Sequence, residues 1–248
     1  MLSSMVIKIS SDKKIVSRVN NLLIDHFGIP RRQNPLPEPL DTLIATILSQ
    51  NTNDNNSYKA FTNLKKEFPN WEMAADAKRL TMEKIIRIAG LAPQKSKAIK
   101  NVLVKLKKEK GNLNLDFVKD MKEDEAIEFL TSFNGVGVKT ASCVLLFSLN
   151  KNICPVDTHV HRTVNRIGIG SEKTPDKTFY SLNKNLPEGI ANSFHTNLIL
   201  LGREICKPTN PGCGICPLKK VCKFPDKNLE EKTKPGKKRI LLLDNIGI

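Results

Sequence analysis

Three groups of residues combine reactive side chains with spacings that chemistry can use. In FNGVGVKTA, Phe133 to Ala141, Lys139 follows the turn Gly135-Val136-Gly137 at what reads as a helix start. A helix N-terminus presents unsatisfied N–H groups and partial positive charge, so it favours an anion and disfavours a cation. A phosphate docked on the amides of Gly135, Val136 and Gly137 would leave Lys139 beside the attached sugar, with its amine near a positive helix end. Such surroundings enlarge the neutral fraction of an amine, and a neutral amine is a nucleophile. A solvated lysine or a simple phosphate ligand is the competing reading.

Asp157, in CPVDTHVHR, lies 157 − 139 = 18 residues further on. A carboxylate there can act as base or charge stabiliser for the amine, or can merely cap the next helix. His159 and His161 fit DNA-facing or helix-surface positions better than metal ligation. Cys206, Cys213, Cys216 and Cys222 form C-x6-C-x2-C-x5-C, interleaved with Pro208, Pro211, Gly212, Gly214 and Pro217. This segment is too rich in proline and lysine for a core. Four soft donors suit zinc or an iron–sulfur cluster, and spacing alone does not separate the two. Its single C-x2-C knuckle departs from the two-knuckle zinc ribbon. Cys143 and Cys154 lie outside and read as small buried hydrophobes.

The elements that must position these residues are helical almost throughout, with no run of alternating apolar and polar residues. The expected fold class is all-α. Asp41 reads as an N-cap after PLPEP, with Leu43, Ile44, Ile47 and Leu48 as the buried stripe of its helix. Further helices are predicted near 55–67, 81–88, 95–108, 123–132, 158–167, 175–186 and 189–201, and VKTASCVLLFSL reads as a central helix buried on most sides. Against 25 Asp and Glu the chain carries 40 Lys and Arg, a net charge of +15 that points to a polyanionic partner. No apolar run approaches the roughly 20 residues that span a bilayer, so a membrane is not expected. The N-terminus lacks the pattern of a secretory signal, and an intracellular location is the expectation. Aromatic residues are 5% of the chain, too few for base-stacking platforms, which favours duplex over single-stranded DNA.

Taken together, FNGVGVKTASCVLL, PVDTHVHR and the cysteine pattern resemble the endonuclease III branch of the helix-hairpin-helix DNA glycosylases, over about Leu40 to Cys222. The resemblance implies a six-helix barrel domain with the helix-hairpin-helix at 41–151 and an iron–sulfur domain from 1–40 and 152–225. These two domains would flank a DNA-binding cleft, followed by a basic, solvated tail at 226–248. It makes Cys206, Cys213, Cys216 and Cys222 ligands of a [4Fe–4S] cluster, Lys139 the nucleophile and Asp157 the catalytic carboxylate.

The implied reaction flips a damaged base out of double-stranded DNA, attacks its sugar with lysine, and nicks the strand by β-elimination. This is a bifunctional glycosylase and AP lyase acting on oxidised pyrimidines, expected as a monomer. LIATILSQNTND, Leu43 to Asp54, resembles the segment that fills the gap left by the flipped base, with Gln50 or Asn51 as the filling residue. Leu91 is the candidate second wedge, or else a core leucine after a helix-ending Gly90. Two alternatives stand beside this reading: a monofunctional mismatch glycosylase of the same fold, and a non-catalytic DNA-binding module stapled by zinc.

Overall fold

The computed structural model describes residues 2–230, with side chains from residue 13 onward. The helices in chain order are α1 (Leu2–Phe27), α2 (Pro39–Ser49), α3 (Asp54–Glu67), α4 (Trp71–Asp76), α5 (Arg79–Ile85), α6 (Ala92–Lys110), α7 (Glu123–Thr131), α8 (Val138–Phe147), α9 (Thr158–Ile167), α10 (Pro175–Lys184) and α11 (Ala191–Glu204). Short 3-10 turns occupy Arg87–Ala89, Asp116–Asp120 and Cys213–Ile215. No strand occurs among the described residues, and the all-α expectation holds. The described chain divides into two compact units, one of residues 32–151 and one of residues 2–31 with 152–230. The basic tail is described only as far as residue 230, and the rest of it lies outside the described residues.

In the 32–151 unit, every residue of α2 from Pro39 to Leu48 is buried, so this helix forms the core rather than one side of it. It packs on α8, whose residues Thr140 to Leu146 are likewise buried, and on α3. Two such apolar helices meet with few polar groups to satisfy, and Ser148 Oγ donates to Thr42 Oγ1 at 2.6 Å where they do. Asp41 is not the N-cap expected of it. The helix starts at Pro39, because proline at the first helical position has no N–H to leave unsatisfied. Asp41 then falls inside the first turn, where it accepts from Trp71 Nε1 at 2.6 Å and from Lys65 Nζ at 3.3 Å. Helix α4, which begins at Trp71 and is not among the helices expected from the sequence, is thereby fastened to the start of α2.

Elsewhere the predicted bounds shift for local backbone reasons. The helix expected at 81–88 breaks at Ile86 (φ −89°, ψ 7°) into α5 and a 3-10 turn. The helix expected from residue 189 starts at Ala191, since Gly189 is left-handed (φ +75°).

In the other unit, α1 presents Val16, Val19 and Leu23, all fully buried, at helical spacing. It packs on α11, where Ser193 Oγ donates to the buried Asn20 Oδ1 at 3.0 Å. Helix α11 also packs on α9, and α10 packs on α9 from elsewhere. No helix among the described residues is long and apolar enough to cross a membrane.

Removing the Asp41 carboxylate strands a buried indole N–H and a lysine. Asp41→Ala is therefore expected to lower stability by roughly 1–3 kcal/mol. Urea unfolding followed by the fluorescence of Trp71, the single tryptophan, checks this.

Candidate active site

In the 32–151 unit the turn before α8 is seated on α6. Between α7 and α8 the chain makes a tight turn in which Gly135 is left-handed (φ +88°). A Cβ at Gly135 would come within 2.6 Å of Ala98 Cβ on α6, so both conformation and space demand glycine there. Gly137 differs. Its φ of −97° suits any residue, and a Cβ would meet nothing within 4 Å. Only Gly135 is required by the turn, and Gly137 leaves open space in front of the helix it caps.

The amides also divide. Val136 donates its N–H back to Phe133 O at 3.0 Å, so it offers nothing outward. The N–H groups of Gly135 and Gly137 take no intramolecular acceptor among the described residues. Asn101 of α6 holds the turn by accepting from Asn134 N at 3.1 Å.

Lys139 is the second residue of α8 and is half-buried. The first turn of α8 contains no acidic residue of its own, and the helix end favours an anion in front of it. Gln50, just past α2, reaches the same turn: its Nε2 donates to Gly135 O at 3.2 Å and Thr140 Oγ1 at 3.3 Å. Asn51 beside it is exposed and left-handed (φ +50°). Leu91 is also left-handed (φ +48°) and 47% exposed, which excludes the core alternative.

In the second unit, Asp157 is the N-cap of α9 and accepts from Val160 N at 2.8 Å. The residues before it, Ile153 to Val156, are buried and pinned. Asn183 of α10 brackets Cys154, accepting from its N–H at 2.7 Å and donating to its carbonyl at 3.1 Å. His195 Nδ1 donates to Pro155 O at 2.8 Å; a carbonyl only accepts, which fixes the proton on Nδ1. Neither Asn183 nor His195 carried a sequence signal, because both contacts cross between distant segments.

His159, expected to face DNA, is half-buried, with its Cβ so close to Gly202 of α11 that a methyl there would sit 2.8 Å away. Burial lowers its pKa, as do Arg162 and Arg203, against the pull of Asp157 and the Gly202 backbone. His161 Nδ1 meets Thr178 Oγ1 at 2.8 Å.

The far end of α9 holds the cysteine segment. Arg162 donates to Cys206 O at 3.0 Å and Gly202 O at 2.9 Å. Arg166 donates to Lys207 O at 2.7 Å, Pro208 O at 2.8 Å and Cys206 Sγ at 3.5 Å, with its guanidinium over the Phe224 ring. The spacing Arg162, Arg166 is i, i+4, which places both on one helix face and is the signal in the sequence that could have found them.

Cys206, Cys213, Cys216 and Cys222 line one pocket with Arg166, Lys219 and Lys227. Burial first, then the three neighbouring thiols, push the Cys216 thiol up to about 12, while the Leu218 backbone opposes the rise. Among the described residues no group of three or more His, Cys, Asp or Glu is arranged to hold a single metal ion. Cys143 and Cys154 are fully buried.

Comparison with known proteins bears on what this arrangement is. Residues 44–188 match the profile of the HhH-GPD superfamily base excision DNA repair protein. Endonuclease III of Thermotoga maritima is 35% identical over 193 residues, covering 78% of this chain and 86% of that protein. A relative in Arabidopsis thaliana is 42% identical over 163 residues, 65% of this chain, and the chain spans 55% of that protein's length. The fold matches that of endonuclease III in a non-covalent complex with DNA (TM-score 0.71, 24% identity, 85% of this chain and 95% of the other). It equally matches a thermostable thymine-DNA glycosylase (TM-score 0.70, 21% identity, 87% and 97%). The chain belongs to the HhH-GPD superfamily of base excision DNA repair proteins, in its endonuclease III branch of helix-hairpin-helix DNA glycosylases.

The two hairpin glycines are expected to respond differently to substitution. Gly135→Ala should cost roughly 1–3 kcal/mol of stability through backbone strain and the clash with Ala98, whereas Gly137→Ala should leave the melting temperature nearly unchanged. Thermal unfolding of both variants tests this.

Proposed function

We propose that this glycosylase is bifunctional: it excises oxidised pyrimidines from double-stranded DNA and then cleaves the abasic site as an AP lyase, working as a monomer. The observation that carries the reading is the position of Lys139, second in a helix that starts at the open Gly137 end of the Gly-x-Gly turn. A backbone phosphate held by the amides of Gly135 and Gly137 and by the end of α8 brings the neighbouring sugar to the lysine amine. The base must first leave the stack, with Leu91 and Asn51 entering the space it vacates. Asn51 is preferred to Gln50, whose side chain is already engaged with Gly135 and Thr140.

The neutral amine of Lys139 then attacks C1′ as the bond from C1′ to the base breaks and the base departs with the electron pair. Asp157 takes up the proton shed by the attacking nitrogen and stabilises positive charge developing on the sugar. The sugar ring then opens, the C1′–O4′ bond breaking as O4′ takes up a proton, and the imine so formed acidifies the C2′ proton. Its removal expels the 3′ phosphate, and hydrolysis of the imine frees the enzyme.

The four cysteines supply the thiolate set that a [4Fe–4S] cluster takes, and Arg166, Lys219 and Lys227 around their pocket offset the charge of four thiolates. Such a cluster would tie the cysteine segment together, and the arginines of α9 would fix that segment to the helix that Asp157 caps.

Borohydride should trap a covalent complex with DNA containing an abasic site, and Lys139→Ala should abolish it. Asp157→Asn keeps a good N-cap while removing the charge. It should therefore preserve stability yet slow base release by about 10²–10⁴-fold, the range typical of a lost acid–base group. Release of a damaged base without any trapping would overturn the lyase half and leave a monofunctional enzyme, whereas binding without base release would leave only a DNA-binding module. A set of duplexes each carrying one lesion tests the substrate class, with oxidised pyrimidines expected to be cut first.

Protein purified without oxygen should be brown and contain equal iron and inorganic sulfide. Stoichiometric zinc in colourless protein would overturn the cluster assignment.

A further inference from the structure

Lys95 lies in α6 with 2% of its surface exposed, a burial that long cations tolerate only when their charge is met. Its Nζ donates to Leu48 O and to Ala89 O, each at 2.8 Å. These carbonyls have a common character. Leu48 is in the last turn of α2, where carbonyls lack an intrahelical donor, and Ala89 ends the 3-10 turn at Arg87–Ala89. One ammonium thus caps two helix ends, both of negative polarity.

The segments beyond the two capped ends are alike as well. Three residues after Leu48 stands Asn51, and two after Ala89 stands Leu91. Both are non-glycine residues in the left-handed region, with φ of 50° and 48°. Leu91 in particular is a bulky side chain in a conformation that costs about 1–3 kcal/mol and persists only where neighbours over-determine it. Burial pushes Lys95 down to about 8, while its two carbonyl partners, which can only accept, favour the charged form.

We propose that Lys95 is a positioning residue for base flipping: its ammonium locks the loops carrying Asn51 and Leu91 into one wedge of fixed separation. The inference rests on the reading of those two residues as the wedge. It differs from a plain stabilising role in its consequence. Both loop tips belong to one mechanical unit, seated on the same stripe of α6 that carries Ala98 against Gly135 and Asn101 against Asn134, three residues apart each time. Removing the ammonium should loosen the wedge more than the Gly135 turn, which Ala98 and Asn101 hold from α6 in addition to its bond from Gln50.

The test compares Lys95→Met with the wild type on two duplexes of one sequence, one undamaged and one with a tetrahydrofuran abasic analogue opposite 2-aminopurine. Wild-type protein should prefer the abasic duplex and change the 2-aminopurine fluorescence. Lys95→Met should bind undamaged DNA with little change but lose about tenfold in preference, equivalent to ~1.4 kcal/mol, together with the fluorescence response. Leu91→Ala should behave alike, the double variant should lose little more, and Lys95→Arg should recover part of the preference.

Unchanged preference in a folded Lys95→Met protein overturns the clamp, as does an equal loss on both duplexes with a lower melting temperature, which marks a scaffold role only. A wild type without any preference overturns the wedge reading itself. If Lys95→Met does not fold, hydrogen exchange on the wild type decides: residues 48–52 and 89–92 should open with one free energy and slow together on abasic DNA. Independent opening rejects the clamp.

Discussion

An ammonium group withdrawn from water must be surrounded by oxygen, and in the 32–151 unit this requirement organises the site. Lys95 meets it with carbonyls from α2 and from the turn before α6, two segments 41 residues apart in sequence (89 − 48). Three positions on, Ala98 has only a methyl, which lets the Gly135 turn lie against α6. Three further on, Asn101 accepts from the Asn134 amide at the same turn. A single helix face thus carries a cation, a space and an acceptor in succession, and each fixes a different part of the candidate site. Gln50 joins the parts, since it leaves the α2 end beside the first and bonds to the turn held by the second.

The second unit solves a parallel problem with an amide and an imidazole. Asp157 has to stand at a helix start at the end of a buried approach that is neither helix nor strand. Such backbone has no ladder or helix to satisfy its hydrogen bonds, so side chains from two other helices do so: Asn183 takes both polar groups of Cys154, and His195 takes the carbonyl of Pro155. Helix α9 is then held at both ends, by its own cap at Asp157 and by Arg162 and Arg166 grasping carbonyls of the cysteine segment. Order in that segment and the orientation of the Asp157 helix are mechanically linked within this unit.

The proposed chemistry depends on a cation placed where a helix would ordinarily prefer an anion. Lys139 near the N-terminus of α8 is unfavourable for the isolated helix. Proteins retain such local conflicts where function requires them, and the open space before Gly137 leaves room for the phosphate that the proposed function places there.

Much of this was legible in the sequence. Helical periodicity settled the fold class, because the 3.6-residue repeat of a buried stripe is a property of neighbours along the chain. The Gly-x-Gly turn, Lys139, Asp157 and the four cysteines announced themselves by residue type and short spacing. Helix ends were less legible: Asp41 read as a cap, and only its burial against Trp71 and Lys65 turned it into a core anchor. The individual duties within the turn were hidden too, since Gly135 and Gly137 are the same letter, and only the approach of Ala98 distinguishes them. Lys95, Asn183 and His195 were not legible at all. Each acts by hydrogen bonds to backbone carbonyls or amides of distant segments, and a backbone group has no letter by which a sequence can declare it. Local physics fixed the elements and the reactive groups, while tertiary packing decided which side chains would hold them in place.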